Sequence, residues 1–176
     1  MFNYVSAISR CSDPGLKNLL KKLECYQEYS MLCDATAKTF TDFKQLYPNA
    51  PYQVIAWYKF ANGGFLFDTQ FLSTEALNRD LIVGMMKLDM VNDEAIQKIT
   101  GCPKNYIAFA IASFGDLYCF NNSGGSDVIQ WSIAEKKIVG RWTNFFIWLK
   151  QEIDGALELV ADNILTPLGC YSEEEM

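Results

Sequence analysis

The sequence of 176 residues contains no histidine. Histidine is the commonest general base near neutral pH and the commonest metal ligand among side chains. Its absence excludes Ser-His-Asp and Cys-His catalytic systems and Cys/His zinc sites. The glycine-rich patterns GxGxxG and GxxxxGK(S/T), which cradle dinucleotides and nucleotide phosphates, are missing as well. We therefore expect no catalytic residue, no cofactor and no metal, and hence a protein that is not an enzyme.

Long apolar runs and paired cysteines are also missing. No uncharged apolar stretch approaches the roughly 18 residues of a membrane-spanning helix, and the first ten residues lack the features of a secretory signal. The cysteines are scattered, without a CxxC pair, at positions 11, 25, 33, 102, 119 and 170. Outside secreted proteins, such cysteines usually act as small buried hydrophobes. These features predict a cytoplasmic protein with reduced thiols.

Negative charge is concentrated toward the C-terminus. The net charge is −6, and from Thr143 onward there are seven acids and one base, which leaves 14 of each in residues 1–142. A protein that binds nucleic acid or an anionic membrane needs clustered lysine and arginine side chains. This chain has no such cluster, so we expect neither as a partner. A basic protein would be attracted here, although an acidic tail that serves only solubility is an equally good explanation. The candidate partner-binding residues are Asp127, Glu152, Asp154 and Glu158.

The first third of the chain has helical patterns. Asp13 and Pro14 are suited to begin a helix, and leucines recur at helical spacing, so a helix is predicted from there to about Leu32. Further helices are predicted over residues 36–46 and 51–61. The latter would end at Asn62-Gly63-Gly64, where glycine permits the left-handed backbone of a helix terminus.

The second half has mainly strand patterns. Strands are predicted at 64–67, 70–72, 106–112, 117–120, 128–133 and 137–142, and a helix capped by Asn144 follows. Between them, we expect helices at 74–79 and 92–100, with strand or buried loop at 81–86. Clustered strands indicate an α+β fold: an antiparallel meander with N-terminal helices and a C-terminal helix packed on it. Half of the chain is apolar and 14% is aromatic, which favours one domain over residues 1–176.

Two carboxylates flank predicted turns of the meander. Asp116 and Asp127 could in principle serve glycoside hydrolysis or bind a metal ion. Their spacing is not diagnostic, and an Asp that accepts backbone hydrogen bonds in a turn is the simpler explanation.

The order of these motifs resembles the SUKH superfamily, which comprises Smi/Knr-type cell-wall regulators and many bacterial immunity proteins. Residues 51–64 (PYQVIAWYKFANGG) resemble its proline-led helix ending in Asn-Gly-Gly. Residues 114–120 (FGDLYCF), 128–131 (VIQW) and 143–149 (TNFFIWL) resemble its later strands and Phe-rich helix. The resemblance implies a SUKH-like domain with a core at about 36–153 and an acidic extension at 154–176.

The resemblance also carries a functional expectation. Many members neutralise a toxin, often a nuclease, by binding it, and a minority are eukaryotic signalling adaptors. It implies a cytoplasmic immunity protein with a cognate toxin as partner, or alternatively a regulatory adaptor, in an oligomeric state left open. The motif residues would then be structural, namely Asn62, Gly63, Gly64, Gly115, Asp116 and Trp131.

Overall fold

The computed structural model describes residues 2–75 and 86–168. Within them the chain forms seven α-helices and a sheet of seven strands. The helices are α1 (Tyr4–Arg10), α2 (Pro14–Glu24), α3 (Ala37–Leu46), α4 (Tyr52–Trp57), α5 (Leu88–Val91), α6 (Glu94–Thr100) and α7 (Phe145–Ala161). The strands are β1 (Ser30–Asp34), β2 (Ala61–Leu66), β3 (Thr69–Phe71), β4 (Tyr106–Ile111), β5 (Leu117–Asn121), β6 (Val128–Ser132) and β7 (Lys137–Trp142).

The sheet confirms the predicted α+β class. Its strands are ordered β1-β2-β3-β4-β5-β6-β7, so each strand pairs antiparallel with its neighbour in the sequence. In such a meander every second turn lies at the same end of the sheet. The β2–β3 and β4–β5 turns therefore share one end, and this placement creates the groove described below.

The helix predicted from residue 14 to about Leu32 was wrong in its second half. Asp13 does cap α2, accepting a hydrogen bond from the Leu16 amide. The helix ends at Glu24, and β1 follows after a short 3-10 turn (Gln27–Tyr29). In β1, Leu32 pairs with Gly64 of β2. This distant strand pairing outweighs the local helical tendency of the segment.

The Asn-Gly-Gly segment was also interpreted wrongly as a helix terminus. Helix α4 ends at Trp57, four residues before β2 begins, and all three motif residues lie inside β2. The φ of Gly64 is 117°, a value that side chains disfavour. A Cβ there would lie 2.3 Å from the carbonyl oxygen of Met31. Glycine is thus required because β1 approaches the backbone too closely for any side chain.

The closing helix was predicted correctly at its start. The side chain of Asn144 accepts a hydrogen bond from the Ile147 amide. The ring of Trp148 is buried against Phe109, with centroids 4.8 Å apart, and against Tyr118 at 5.0 Å. The helix continues beyond residue 153 to Ala161. The predicted extension at 154–176 therefore begins within α7.

Other predictions had mixed outcomes. Helix α1, capped by Asn3, was not predicted. The helix expected at 92–100 is α6, which Gly101 ends in a left-handed conformation. Residues 76–85, which contain most of the helix expected at 74–79 and of the segment 81–86, lie outside the described residues. In the described ranges, no helix combines the length and the apolar character that a membrane span needs.

Candidate protein-binding groove

A groove with a volume of about 680 Å³ opens between α7 and the two hairpin turns at one end of the sheet. The β2–β3 turn contributes Asp68, the β4–β5 turn contributes Ser113 and Phe114, and Tyr118 of β5 lies nearby. The Ser113 hydroxyl donates a hydrogen bond of 2.8 Å to the Asp68 carboxylate, which ties the two turns together. We call this feature the α7 groove.

Acidic side chains dominate the charge of the α7 groove. Four carboxylates and a single lysine are found among its described lining residues, namely Asp68, Glu152, Asp154, Glu158 and Lys150. Three of the four acids are residues that sequence analysis had chosen as candidates. They come together because positions 152, 154 and 158 lie along little more than one and a half turns of α7.

Glu152 is the most buried of these acids. It follows Trp148 by one helical turn, which directs it toward the sheet. Its carboxylate accepts hydrogen bonds from the Tyr118 hydroxyl at 3.1 Å and the Thr69 hydroxyl at 3.4 Å. Both donors are neutral, and the described residues place no cation within ion-pair distance of it. Burial, together with the negative charge of Asp68, raises the pKa of Glu152.

Tyr118 remains a hydrogen-bond donor over the whole physiological pH range. Burial, reinforced by the charge of Glu152, raises the pKa of the Tyr118 phenol. The proton therefore stays on the tyrosine, and the negative charge stays on the glutamate. Two further acceptor positions on the Glu152 carboxylate are not used by Tyr118 or Thr69.

Asp154 differs from Glu152 because it is already paired with cations. It forms ion pairs with Lys150, one turn earlier on α7, and with Lys22 of α2. Hydrogen bonds from these two lysines lower the pKa of Asp154. Glu158 is exposed. The acids most available to a partner's cations are therefore Glu158, Asp68 and Glu152, because Asp154 would first have to exchange its lysines.

Apolar side chains lie between these charges. Phe114 is 69% exposed, Ile147 is 48% exposed and Leu159 is 36% exposed, and all three line the groove. Aromatic residues are enriched in protein–protein interfaces. A concave surface that combines exposed apolar side chains with unneutralised acids is suited to a basic, partly apolar protein segment.

Asp127, the fourth candidate, lies apart from the groove. It accepts hydrogen bonds from the Tyr106 hydroxyl at 2.7 Å and the Asn121 amide at 2.8 Å, and it forms an ion pair with Arg141. Burial alone would raise its pKa, but these three partners hold the pKa of Asp127 below its usual value. This carboxylate joins β4, β5 and β7, which makes it a structural element.

The other motif residues have identifiable contacts. The side-chain oxygen of Asn62, which is buried, accepts a hydrogen bond of 2.8 Å from the Thr74 amide. Asp116, beside Gly115 in the β4–β5 turn, accepts one of 2.8 Å from the Gln130 amide. The Trp131 indole donates one of 3.0 Å to the Thr100 carbonyl, which holds the end of α6 against β6. In the described residues, no three Cys, Asp or Glu side chains are grouped to hold a metal ion.

Sequence analysis missed the groove residues contributed by the sheet, above all Asp68, Phe114 and Tyr118. Phe114 carried a usable signal, because a large aromatic residue in a predicted turn has no core position to occupy. The sequence around Asp68 and Tyr118 contains no comparable signal. Their role depends on which turns share an end of the sheet, and this follows only from the complete strand order.

Comparison with known protein families matches residues 34–151 of the chain to the SMI1 / KNR4 family (SUKH-1). The matched segment runs from the end of β1 into α7, so it includes both turns of the groove and ends one residue before Glu152. No curated protein matches the chain.

Proposed function

Because the chain belongs to the SMI1 / KNR4 family (SUKH-1), we propose that it is a non-enzymatic protein-binding domain whose α7 groove takes a basic partner. The observation that carries the proposal is the composition of this groove. Its acids have too few cations to neutralise them, and Phe114 stands exposed among them. A partner that supplies arginine or lysine beside an apolar side chain would complement both features.

The partner that fits best is a toxin with a basic surface, such as a nuclease, and the chain would then be its immunity protein. A nuclease requires cationic side chains to hold phosphates. An acidic groove that covers those side chains would block the toxin without catalysis. The resemblance to immunity proteins of the SUKH superfamily supports the same role. Such a protein would act in the cytoplasm of the cell that produces it.

An intracellular regulatory adaptor of the Smi/Knr type is the second candidate. It is favoured by the same family, and an acidic groove with exposed apolar side chains could equally hold a basic segment of a signalling protein. The two candidates differ in what the partner does when it is alone. A toxin kills the cell in the absence of this chain, whereas an adaptor's partner does not.

Co-expression tests the proposal directly. The candidate toxin for this test is the C-terminal domain of any large secreted protein that is encoded beside the gene of this chain. We expect that co-expression restores growth of a bacterial host and that the two proteins purify together as a complex. A matched variant, Phe114→Ala, should weaken both effects.

One result would count against the immunity role, and another would count against the α7 groove as the binding surface. If growth is not restored although both proteins are produced in folded form, the chain does not neutralise that toxin. If the complex forms but Phe114→Ala and Glu158→Gln bind as tightly as the parent, the chain binds through a surface other than the α7 groove. Stable binding to a non-toxic regulatory protein through the same groove would favour the adaptor.

A further inference from the structure

Two buried cysteines that lie far apart in the sequence meet beneath α6. The sulfur atoms of Cys102 and Cys119 are 3.7 Å apart, although 17 positions separate the residues along the chain. Cys102 follows the residue that ends α6, and Cys119 lies in the middle of β5. Cys119 is fully buried and Cys102 is 7% exposed.

The local structure explains why the two thiols meet. Gly101 turns the chain sharply after α6. The hydrogen bond from the Trp131 indole to the Thr100 carbonyl then fixes that turn against the sheet. In addition, the Cys102 amide donates to the Thr100 hydroxyl at 3.4 Å. Cys102 is thereby directed at β5 by contacts that do not involve sulfur.

We propose that Cys102 and Cys119 form an oxidisable dithiol, which peroxide converts into an intramolecular disulfide. A disulfide bond is about 2.05 Å long, so the sulfur atoms must approach each other by less than the width of one atom. Rotation of the Cys102 side chain, which stands at the end of a turn, is the simplest way to bring them together. The proposal does not depend on the identity of any protein partner.

The chemistry has two steps. The Cys102 thiolate attacks hydrogen peroxide, which breaks the O–O bond, releases hydroxide and leaves a sulfenic acid on Cys102. The Cys119 sulfur then attacks the Cys102 sulfur, forms the S–S bond and expels the sulfenic oxygen as water. Overall, two thiols and one peroxide give one disulfide and two waters.

The two cysteines have different roles in this reaction. The hydrogen bond from Cys119 lowers the pKa of the Cys102 thiol, whereas burial raises the pKa of the Cys119 thiol. Cys102 is also the less buried of the two. It is therefore the residue that peroxide attacks first, and Cys119 is the residue that resolves the sulfenic acid.

Peptide mapping tests the proposal. The variant Cys25→Ser/Cys170→Ser removes one exposed thiol and one thiol outside the described residues. It is treated with hydrogen peroxide in the folded state and is then unfolded in the presence of an alkylating reagent, so that buried free thiols are also alkylated. The protein is then digested with trypsin. Cleavage after Lys98, Lys104 and Lys136 separates residues 99–104 from residues 105–136. We expect these two peptides to be joined by a disulfide, with a mass that is two hydrogens below the sum of the two reduced peptides. A reductant should separate them again.

Controls distinguish the native pair from random oxidation. The linked peptide should be lost in Cys102→Ser and in Cys119→Ser, whereas Cys11 should still be alkylated in the parent. Oxidation in denaturant should give mixed pairings that include Cys11. The proposal is overturned if both peptides of the folded parent remain alkylated. It is also overturned if Cys102 accumulates as a sulfinic acid, because Cys119 would then not resolve it.

Discussion

The backbone of Gly64 lies so close to Met31 that a Cβ on residue 64 would stand 2.3 Å from the Met31 carbonyl oxygen. This contact joins β1 to β2, and the nearest obstacles are backbone atoms that cannot rotate away. Residue 64 is thus fixed as glycine by its neighbour as well as by its own φ of 117°.

We expect that Gly64→Ala lowers the free energy of unfolding by about 2–5 kcal/mol, because a clash with fixed backbone adds to the strain of a positive φ. Urea denaturation followed by tryptophan fluorescence measures the change. Gly115→Ala is the matched control, since Gly115 also has a positive φ but a Cβ there meets nothing within 4 Å. Gly115→Ala should lower the free energy of unfolding by only about 1–2 kcal/mol. Equal losses in the two variants would contradict the proposed close approach of β1.

Glu152→Gln should stabilise the protein near neutral pH. The folded-state pKa of Glu152 is raised, chiefly by burial, so its ionised form is less favourable in the folded protein than in the unfolded chain. The stability that this group contributes is present below its unfolded pKa, about 4.3, and is lost as the pH rises through the folded pKa. The glutamine avoids that loss and keeps an acceptor for Tyr118.

The difference in unfolding free energy between Glu152→Gln and the parent should therefore be small at pH 4 and grow toward pH 7. Urea titrations at several pH values measure it. Glu135→Gln, which removes an exposed carboxylate in the β6–β7 turn, serves as the control for the loss of one negative charge. A Glu152→Gln variant that is less stable than the parent at pH 7 would contradict the assignment of Glu152 as a half-buried carboxylate without a cationic partner among the described residues.

Phe114→Ala should weaken partner binding without affecting folding. The ring is 69% exposed, so the free energy of unfolding should change by no more than about 0.5 kcal/mol. An aromatic residue at the centre of an interface contributes about 2 kcal/mol, which raises Kd by about 30-fold. Calorimetry with the co-purified partner measures Kd. Tyr52→Ala removes an aromatic ring with 65% exposure outside the groove and should leave Kd unchanged.

The acids of the α7 groove should act mainly on the rate of association. Long-range attraction between an acidic groove and a basic partner increases kon and is screened by salt. We expect kon to fall with ionic strength, and Glu158→Gln to lower kon at low salt more than Glu135→Gln does. Stopped-flow or surface-based kinetics measures both rates. An association rate that does not depend on salt would exclude electrostatic steering by the groove.

The elements that sequence analysis placed correctly are those specified by nearby residues. The cap at Asn144 lies three residues from its donor, and the buried positions Phe145, Leu149 and Ile153 of α7 recur at helical spacing. Such patterns are visible in a short window of sequence. Three of the four groove acids could also be found from a short window of sequence, because Glu152, Asp154 and Glu158 lie on one helix.

The errors occurred where distant residues decide the structure. The segment that contains Leu32 is a strand because Gly64, 32 positions later, pairs with it. The glycines of β2 resemble a helix terminus until β1 is known to lie beside them. Similarly, Asp68 and Phe114 meet at the groove only through the arrangement of two hairpins. No local pattern encodes these contacts.

The meander has a consequence for the proposed protein-binding function. Because no strand is inserted between two others, the turns at residues 67–68 and 112–116 can differ in length or side chains while the ladder of backbone hydrogen bonds is kept. Those turns form one wall of the α7 groove, and the other wall is a helix anchored by Trp148. A single scaffold of this kind can therefore be adapted to new partners by substitutions in two short loops.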